Sequence, residues 1–483
     1  MVPLTITYPP VTPGGPDRSV APLIHRTTGP PEDPSPGLQP EASAAASACF
    51  RPPSAASPHR AGSRTRWDRG PMAERVDVVI VGAGLAGLAC ATTLQRRGVD
   101  ARLLEASDVV GGRVATDVVD GHLCDVGFQL LNPAYPALRD LVDLDALDLQ
   151  PFAAGVRVRR GGSVATLGDP RREPRLLAPT LRSGLLRPRE LAALARWAAP
   201  ILGGEGHVLR RADDTVAASL DAAGVRGPLR RQVLEPFLAG VLADDTGATS
   251  ARYARLLVRW FLLGTPAVPG DGMRALPARL AGGLRRPAET GVRVLGVDRG
   301  AEGVTVRTGS GSLRARAVVV ATDVQDAVGL GAVSVAPPVG GLVTWWFSTP
   351  TGMPRDRLLL VDGDRGPVVN TAVVSAAAPG YAPPGRDLVQ VTALAGAGLS
   401  DAAALAQAAR LWGTDVDAWE LLVRHDVVRA LPRAVPPLEP ARRADVGGGM
   451  FVCGDHRETP SIQGALASGV RAAQDVAAAV GAR

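Results

Sequence analysis

Residues 75 to 105 constrain this chain more than any other stretch. Arg75 to Val81 (RVDVVIV) is β-branched and almost continuously apolar, the pattern of a parallel strand buried on both faces. Gly82-Ala83-Gly84-Leu85-Ala86-Gly87 follows at once. A helical run continues to Arg97, Gly98 serves as its stop, and a second short strand, Ala101 to Leu104, leads into Glu105. A strand, a glycine turn, a helix and a strand in about thirty residues make a βαβ unit of the dinucleotide-binding kind. Gly82 allows the tight turn, Gly84 lets the backbone approach a pyrophosphate, and Gly87 lets helix and strand pack closely. The helix start offers free N–H groups and a positive dipole end to phosphates. Glu105, eighteen residues after Gly87 (105 − 87), is placed to accept hydrogen bonds from ribose hydroxyls, with Ala106 beside it.

A second glycine pair separates the dinucleotides. Val109-Val110-Gly111-Gly112-Arg113 comes just after Glu105. It resembles the GG-arginine motif of the amine-oxidase and phytoene-desaturase superfamily of flavoproteins, which includes monoamine oxidases, protoporphyrinogen oxidase and plant-type carotene desaturases. The resemblance implies FAD as cofactor, with Gly111 and Gly112 close to it and Arg113 near its phosphates and flavin. Gly121 to Gln129 (GHLCDVGFQ) is similar to the segment of that superfamily that approaches the flavin ring, which implies Gly127, Phe128 and Gln129 near the isoalloxazine. Phe128 also reads as an ordinary core residue. Phe451-Val452-Cys453-Gly454-Asp455 and Ser461-Ile462-Gln463-Gly464-Ala465 resemble the closing motif, a strand, a Gly-Asp pair and a helix whose start points at the flavin. Asp455 is then expected at the ribityl or pyrophosphate region, and Gln463 and Gly464 at the flavin edge where negative charge develops on reduction. Val294 matches a backbone contact to adenine. Pro236 to Val241 and Gly270 to Met273 resemble substrate-domain segments more loosely. The resemblance covers residues 74 to 483.

Two departures bear on the reaction. All 53 basic residues are arginine, so the lysine that monoamine and polyamine oxidases hold near the flavin is absent. Residues 454 to 464 contain no aromatic pair of the kind that forms an amine cage. No lysine also means no Schiff base and no Walker-type phosphate lysine. His456, next to Asp455, is the one weak acid–base candidate. His122 and His425 have no motif support, and alternating burial in a strand explains most of Trp345-Trp346-Phe347. The cysteines, Cys49, Cys90, Cys124 and Cys453, show neither metal-ligand nor CxxC spacing, so no metal site is expected and a reducing, cytoplasmic setting is.

Residues 1 to 71 are rich in Pro, Ala, Ser and Arg without apolar periodicity and read as a disordered extension, with Met72 as an alternative start of translation. Beyond it, residues 74–135, 285–330 and 440–483 are expected to form the FAD domain, and residues 136–284 and 331–439 an inserted substrate domain. Residues 136 to 290 and 401 to 423 read as helical, Val292 to Val306 as a hairpin, and Ala315 to Ala321, Leu342 to Phe347, Arg357 to Val361 and Leu388 to Leu394 as strands. The net charge of +6 is scattered among carboxylates, and aromatics make up only 4%, so no nucleic-acid partner is expected. Leu176 to Leu202, with its arginines, reads either as an amphipathic membrane contact or as a solvated helix face.

The expected fold is α/β, a Rossmann-like FAD/NAD(P)-binding domain with an inserted mixed α+β domain. The expected reaction is hydride transfer from a substrate C–H to flavin N5, on a hydrophobic carotenoid- or porphyrinogen-like molecule, with O2 or a quinone as the final acceptor. An amine oxidase is the alternative within the class, and a non-catalytic FAD-binding protein the alternative outside it.

Overall fold

The computed structural model describes residues 75–300 and 303–481. The extension of residues 1–71 and the start at Met72 lie outside the described residues. The sequence predicts a parallel strand followed by a glycine turn, and the described residues begin with that strand. β1 (Arg75–Val81) lies between β2 (Ala101–Leu104) and β11 (Gly311–Val320), parallel to both. β11 continues through β10 (Gly303–Thr308) to β9 (Val294–Gly300) as an antiparallel meander. β17 (Met450–Val452) returns from far down the chain to pair in parallel with Val318–Val320. These six strands form one sheet.

Its two faces divide the apolar residues of β1. Val78 and Ile80 face the helices Leu85–Arg96 and Ile462–Ala479, while Val79 and Val81 face Val304, Val318, Val320 and Met450. The two helices pack closely because Gly469 has no side chain: a Cβ there would sit 2.2 Å from the Ala86 carbonyl oxygen.

The second sheet has seven strands, in the order β16 (Glu420–Pro432), β12 (Val339–Pro350), β15 (Arg386–Leu394), β14 (Val368–Val373), β13 (Leu359–Asp362), β6 (Gly155–Arg160) and β7 (Ser163–Gly168). It is antiparallel except where β13 pairs with β6. One face packs Val343, Trp345 and Phe347 against the helix Asp401–Trp412. The other carries Trp346, Leu388 and Val423 towards Phe152 and Tyr381. Two small pairs complete the strands: β3 (Thr116–Val119) with β4 (His122–Asp125), and β5 (Leu149–Pro151) with β8 (Ala267–Pro269).

Two expectations need correction. Residues 401–423 are not helical throughout: the helix stops at Trp412, Gly413 adopts φ +64°, and β16 begins at Glu420. Residues 136–290 are not wholly helical, because Gly161 (φ +52°) and Gly162 turn the hairpin β6–β7. Each of these strands is set by pairing across the sheet rather than by its own periodicity.

Candidate functional site

At the end of β1 the chain turns through Gly82, φ +102°, where a Cβ would lie 2.9 Å from the Ala321 carbonyl oxygen. A Cβ on Gly87 would lie 1.9 Å from the Gly82 carbonyl oxygen. The helix then starts at Leu85, with no side-chain cap from Gly84 and no acid in its first turn. Its first N–H groups and its positive end are therefore available to an anion. Leu85, Ala86 and Gly87 are buried.

The second glycine pair is backed against the first. The Gly111 N–H donates to the Ala83 carbonyl (2.9 Å), Gly84 and Gly111 form a parallel bridge, and a Cβ on Gly112 would sit 3.4 Å from the Gly84 Cα. Glu105 ties the turn to the end of β2. Its Oε2 accepts from the Ala83 N–H (2.7 Å), and its Oε1 accepts from the Ser107 N–H (2.9 Å) and hydroxyl (2.8 Å). A carboxylate has about four lone-pair sites, so acceptor capacity remains for a ribose. Ala106 is exposed beside it.

Arg113 and Asp455, 342 residues apart, meet. Arg113 Nη2 donates to Asp455 Oδ1 at 2.8 Å, and Nη1 donates to the Ala430 carbonyl of β16 at 2.6 Å. Asp455 is buried. Gly454, φ +147°, leaves room for the His456 ring, which would stand 2.6 Å from a Cβ there. His456 Nε2 has no hydrogen-bond partner, and burial pushes the ring down to about 4 despite Asp455 beside it. The ring is neutral at neutral pH.

The segment 121–129 links the two sheets. Gly127, φ +78°, faces Val427 of β16, with a Cβ position 3.7 Å from the valine methyl. Phe128 packs edge-on against Phe152, 6.0 Å between centroids. Gln129 Nε2 donates to the carbonyls of Arg113 (2.7 Å) and Val126 (3.0 Å), pinning the arginine loop to this segment. At the closing helix, the Ser461 hydroxyl accepts from the Gly464 N–H (3.0 Å), and Gln463 Oε1 accepts from the Ala137 N–H (3.0 Å). A Cβ on Gly464 would strike the Thr459 carbonyl at 1.9 Å, and Ala465 is half-buried beside it. Val294 opens β9, two residues beyond Val292, whose N–H donates to the Glu105 carbonyl (2.8 Å).

Sequence reasoning missed two polar features. Asp125, buried, accepts from the Thr116 hydroxyl (2.6 Å), the Met273 N–H (2.9 Å) and the Tyr381 hydroxyl (3.0 Å). Burial pushes its carboxyl up to about 6. The loosely matched Gly270–Met273 segment is thus anchored to the end of β4, two residues before Gly127. The second feature is a row of buried polar side chains in register across four strands, Asn370, Thr392, Thr344 and His425. The Thr344 and Thr392 hydroxyls are 3.0 Å apart, Thr392 donates to Gln390 Oε1 (2.9 Å), and Gln390 Nε2 donates to Asn370 Oδ1 (3.0 Å). His425 Nε2 lies 3.0 Å from Asp117 Oδ2, and its Nδ1 has no partner. His122 binds the Ser348 hydroxyl at 2.9 Å. The signal available was the polar alternation along β15 and β12, which shows its alignment only once the register is known. Among the described residues no group of His, Cys, Asp and Glu could hold a metal ion.

The donors and spaces fit a dinucleotide with a flavin end: an uncapped helix start, two glycine motifs that leave backbone bare, and Arg113 with Asp455 at their rim. Comparisons with known proteins agree. The chain is 41% identical over 108 residues to putrescine oxidase of Kocuria rosea, covering 22% of this chain and 20% of that enzyme. It is 30% identical over 198 residues to the chloroplastic protoporphyrinogen oxidase of Nicotiana tabacum, covering 39% of this chain and 32% of that enzyme. The matches thus span a third or less of these relatives' own lengths. Cyclohexylamine oxidase from Brevibacterium oxydans superimposes with a TM-score of 0.59 at 20% identity, covering 84% of this chain and 98% of that one, which is a likeness of fold. The sequence profile of flavin containing amine oxidoreductases matches residues 85–477, so the chain belongs to that family of FAD-dependent oxidoreductases.

Proposed function

We propose that this chain dehydrogenates or desaturates a hydrophobic, carotenoid- or porphyrinogen-like small molecule, with O2 or a quinone as the final electron acceptor. Bound FAD supplies the two-electron acceptor for a substrate hydride. In this reading Gly82 to Gly87 and the helix start at Leu85 take the pyrophosphate, Glu105 and Ala106 the adenosine ribose, and Val294 the adenine. Gly111, Gly112, Arg113, Gly454 and Asp455 hold the ribityl and phosphate region. Gly127 to Gln129 and Ser461 to Ala465 border the flavin ring. The six-stranded sheet then belongs to an FAD domain of residues 74–135, 285–330 and 440–483, and the seven-stranded sheet to a substrate domain of residues 136–284 and 331–439.

One observation carries the cofactor assignment: Arg113 and Asp455, quoted from motifs at opposite ends of the family resemblance, are ion-paired at 2.8 Å. His456, neutral and with a free ring nitrogen, is a hydrogen-bonding group and not a cationic one at neutral pH. For the substrate, the absence of any lysine, with the apolar cluster of Phe128, Phe152, Trp346 and Leu388 beside the Gly127 turn, favours desaturation over amine oxidation.

A second reading has its own support. A cavity of about 450 Å3 between the helix Glu235–Leu242 and the seven-stranded sheet is lined by Glu235, Asp245 and Asp362, with Arg365 and Arg433. Glu235 is ion-paired with Arg230 and Arg365, and Asp362 with Arg410, which leaves Asp245 as the acid that could meet the ammonium group of an amine substrate.

The test is anaerobic. The purified protein is expected to absorb at roughly 370 and roughly 450 nm and to release FAD on denaturation. Bleaching of the longer-wavelength band by a carotene or a porphyrinogen, and not by primary amines or diamines, supports the first reading. The reverse supports the second. A flavin that none of them reduces overturns both and leaves an FAD-binding protein without this chemistry.

A further inference from the structure

The charge of this chain is concentrated in one place. Residues 171–211 contain nine arginines and three glutamates, a net +6, equal to the net charge of all 483 residues. Eight of those arginines are exposed and none of the glutamates is. Glu190 is buried, where its carboxylate accepts from the backbone N–H groups of Leu229 (3.3 Å) and Arg230 (3.0 Å). Glu173 and Glu205 are half-buried, the first ion-paired with Arg175 (3.1 Å) and the second accepting from the Trp260 indole N–H (2.9 Å), so the fully exposed charges along this segment are all arginine.

The same region carries most of the exposed leucine of the described residues. Of the seven exposed leucines, Leu177, Leu181, Leu191, Leu202, Leu262 and Leu263 belong to it or to the helix end beside it. Leu181 is 66% exposed and Leu202 86% exposed. The helix Leu177–Arg182 has no buried residue at all. It is held down through Leu176, which fills the space above Gly168, and through the Thr180 hydroxyl, which accepts from the Gly168 N–H (2.9 Å). Leu177 and Leu181, four residues apart, share one face of it.

Hydrogen bonds draw these leucines together. Arg172, five residues before Leu177, donates to the carbonyls of Phe261 (2.9 Å), Leu262 and Gly264 at the end of the helix Ala251–Leu263. Arg259, on that helix, donates to the carbonyl of Ile201 (2.8 Å), the neighbour of Leu202. The helix that carries Leu262 and Leu263 is thus bonded at its end to the segment leading into the short helix and, one turn earlier, to the residue beside Leu202.

We propose that this surface docks on an anionic lipid bilayer, with the leucines entering the interface and the surrounding arginines, Arg175, Arg182 and Arg187 among them, meeting the headgroups. Leucine beside arginine is the composition of an interfacial contact, and neither component suffices alone. An RNA partner fits less well, because no aromatic side chain is among the exposed large apolar residues of the described part, which leaves a base nothing there to stack on. The inference rests on exposure and charge, and it stands whichever substrate reading holds.

Flotation of the purified full-length protein with lipid vesicles tests it. The protein should float with vesicles of phosphatidylcholine and phosphatidylglycerol, not with phosphatidylcholine alone, and high salt should weaken the binding. L177S/L181S should weaken it about tenfold, and R182S/R187S about 25-fold, from roughly 1 kcal/mol per arginine. These side chains are exposed, so FAD content and melting temperature should stay as in the parent protein. Three results overturn the proposal. One is no flotation with the anionic vesicles. Another is flotation undiminished in both variants, which places the contact elsewhere in the chain, residues 1–74 included. The third is self-association in light scattering that L177S/L181S abolishes while vesicles bind neither protein.

Discussion

The two sheets are specified in different ways. The six-stranded sheet takes its shape from glycines whose missing side chains let backbone meet backbone: Gly87 on Gly82, Gly111 on Ala83, Gly469 on Ala86. The seven-stranded sheet takes its register from side chains, an apolar face of tryptophan, phenylalanine and valine on one side and the row Asn370, Thr392, Thr344 and His425 on the other. The first kind of specification is local in sequence and intolerant of any added atom. The second is distributed over distant strands, and each position tolerates change in proportion to what its partners lose. Gly127, Asp125 and Arg113 belong to neither sheet, and their contacts join the two.

Paired glycine substitutions break or sharpen this contrast most strongly. Gly87→Ala should cost about 4 kcal/mol or more and abolish FAD retention, since the new methyl cannot avoid the Gly82 carbonyl. Gly162→Ala, in the β6–β7 turn with nothing within 4 Å of the new Cβ, should stay within about 0.5 kcal/mol. Chemical denaturation with released-FAD measurement reads both. Comparable costs at the two positions would dissolve the distinction.

The joint between the sheets should show itself in pH. His456 has its pKa depressed from 6.5 to about 4, so its contribution to stability is present above pH 6.5 and lost as pH falls through about 4. Asp125 has its carboxyl raised from 3.8 to about 6, so its contribution is present below pH 3.8 and lost as pH rises through about 6. The two oppose each other in the window from about pH 4 to about pH 6, each by about 2–3 kcal/mol at full titration. In the FAD-free protein, His456→Gln should remove the loss of stability on acidification. Asp125→Asn should remove the gain. Thermal melts across that window read the slopes, and slopes of the same sign for both variants would contradict the assignment.

Arg113→Ala comes next, at about 2 kcal/mol, because it leaves the buried Asp455 carboxylate without its guanidinium. FAD affinity should fall with it, and Asp455→Asn in the Arg113→Ala background should restore stability but not affinity. Thr392→Val is the smallest, about 1 kcal/mol, since Gln390 Oε1 loses a donor within an otherwise packed row. That variant should leave FAD binding unchanged, which titration with FAD checks.

Legibility in the sequence followed the same division. β1, the glycine turn, the helix after it and the closing helix were readable because their specification lies within each segment. The residues meant for one site from that reading, Gly84 with Gly111 and Arg113 with Asp455, are in contact. The helical pattern of 401–423 runs over the first four residues of β16, Glu420 to Val423, and what decides there is pairing with β12 some eighty residues earlier. The β6–β7 hairpin was hidden inside leucine-rich surroundings, although Gly161-Gly162 marks its turn. Asp125 and the polar row were unreadable for a further reason. A buried aspartate or threonine looks like a surface one until the residues that satisfy it are known.

The position of β17 has a consequence for synthesis. β11 ends at Val320, and the strand that completes its edge begins at Met450, 130 residues later (450 − 320). At about 5–20 residues per second, Val318 to Val320 would wait roughly 7–26 s on the ribosome before their neighbour emerges. During that interval the nascent chain presents an apolar, unpaired strand edge, the feature by which partly made chains find one another. How much of this protein a cell accumulates should then depend on whether a chaperone covers that edge while the remaining strands are made.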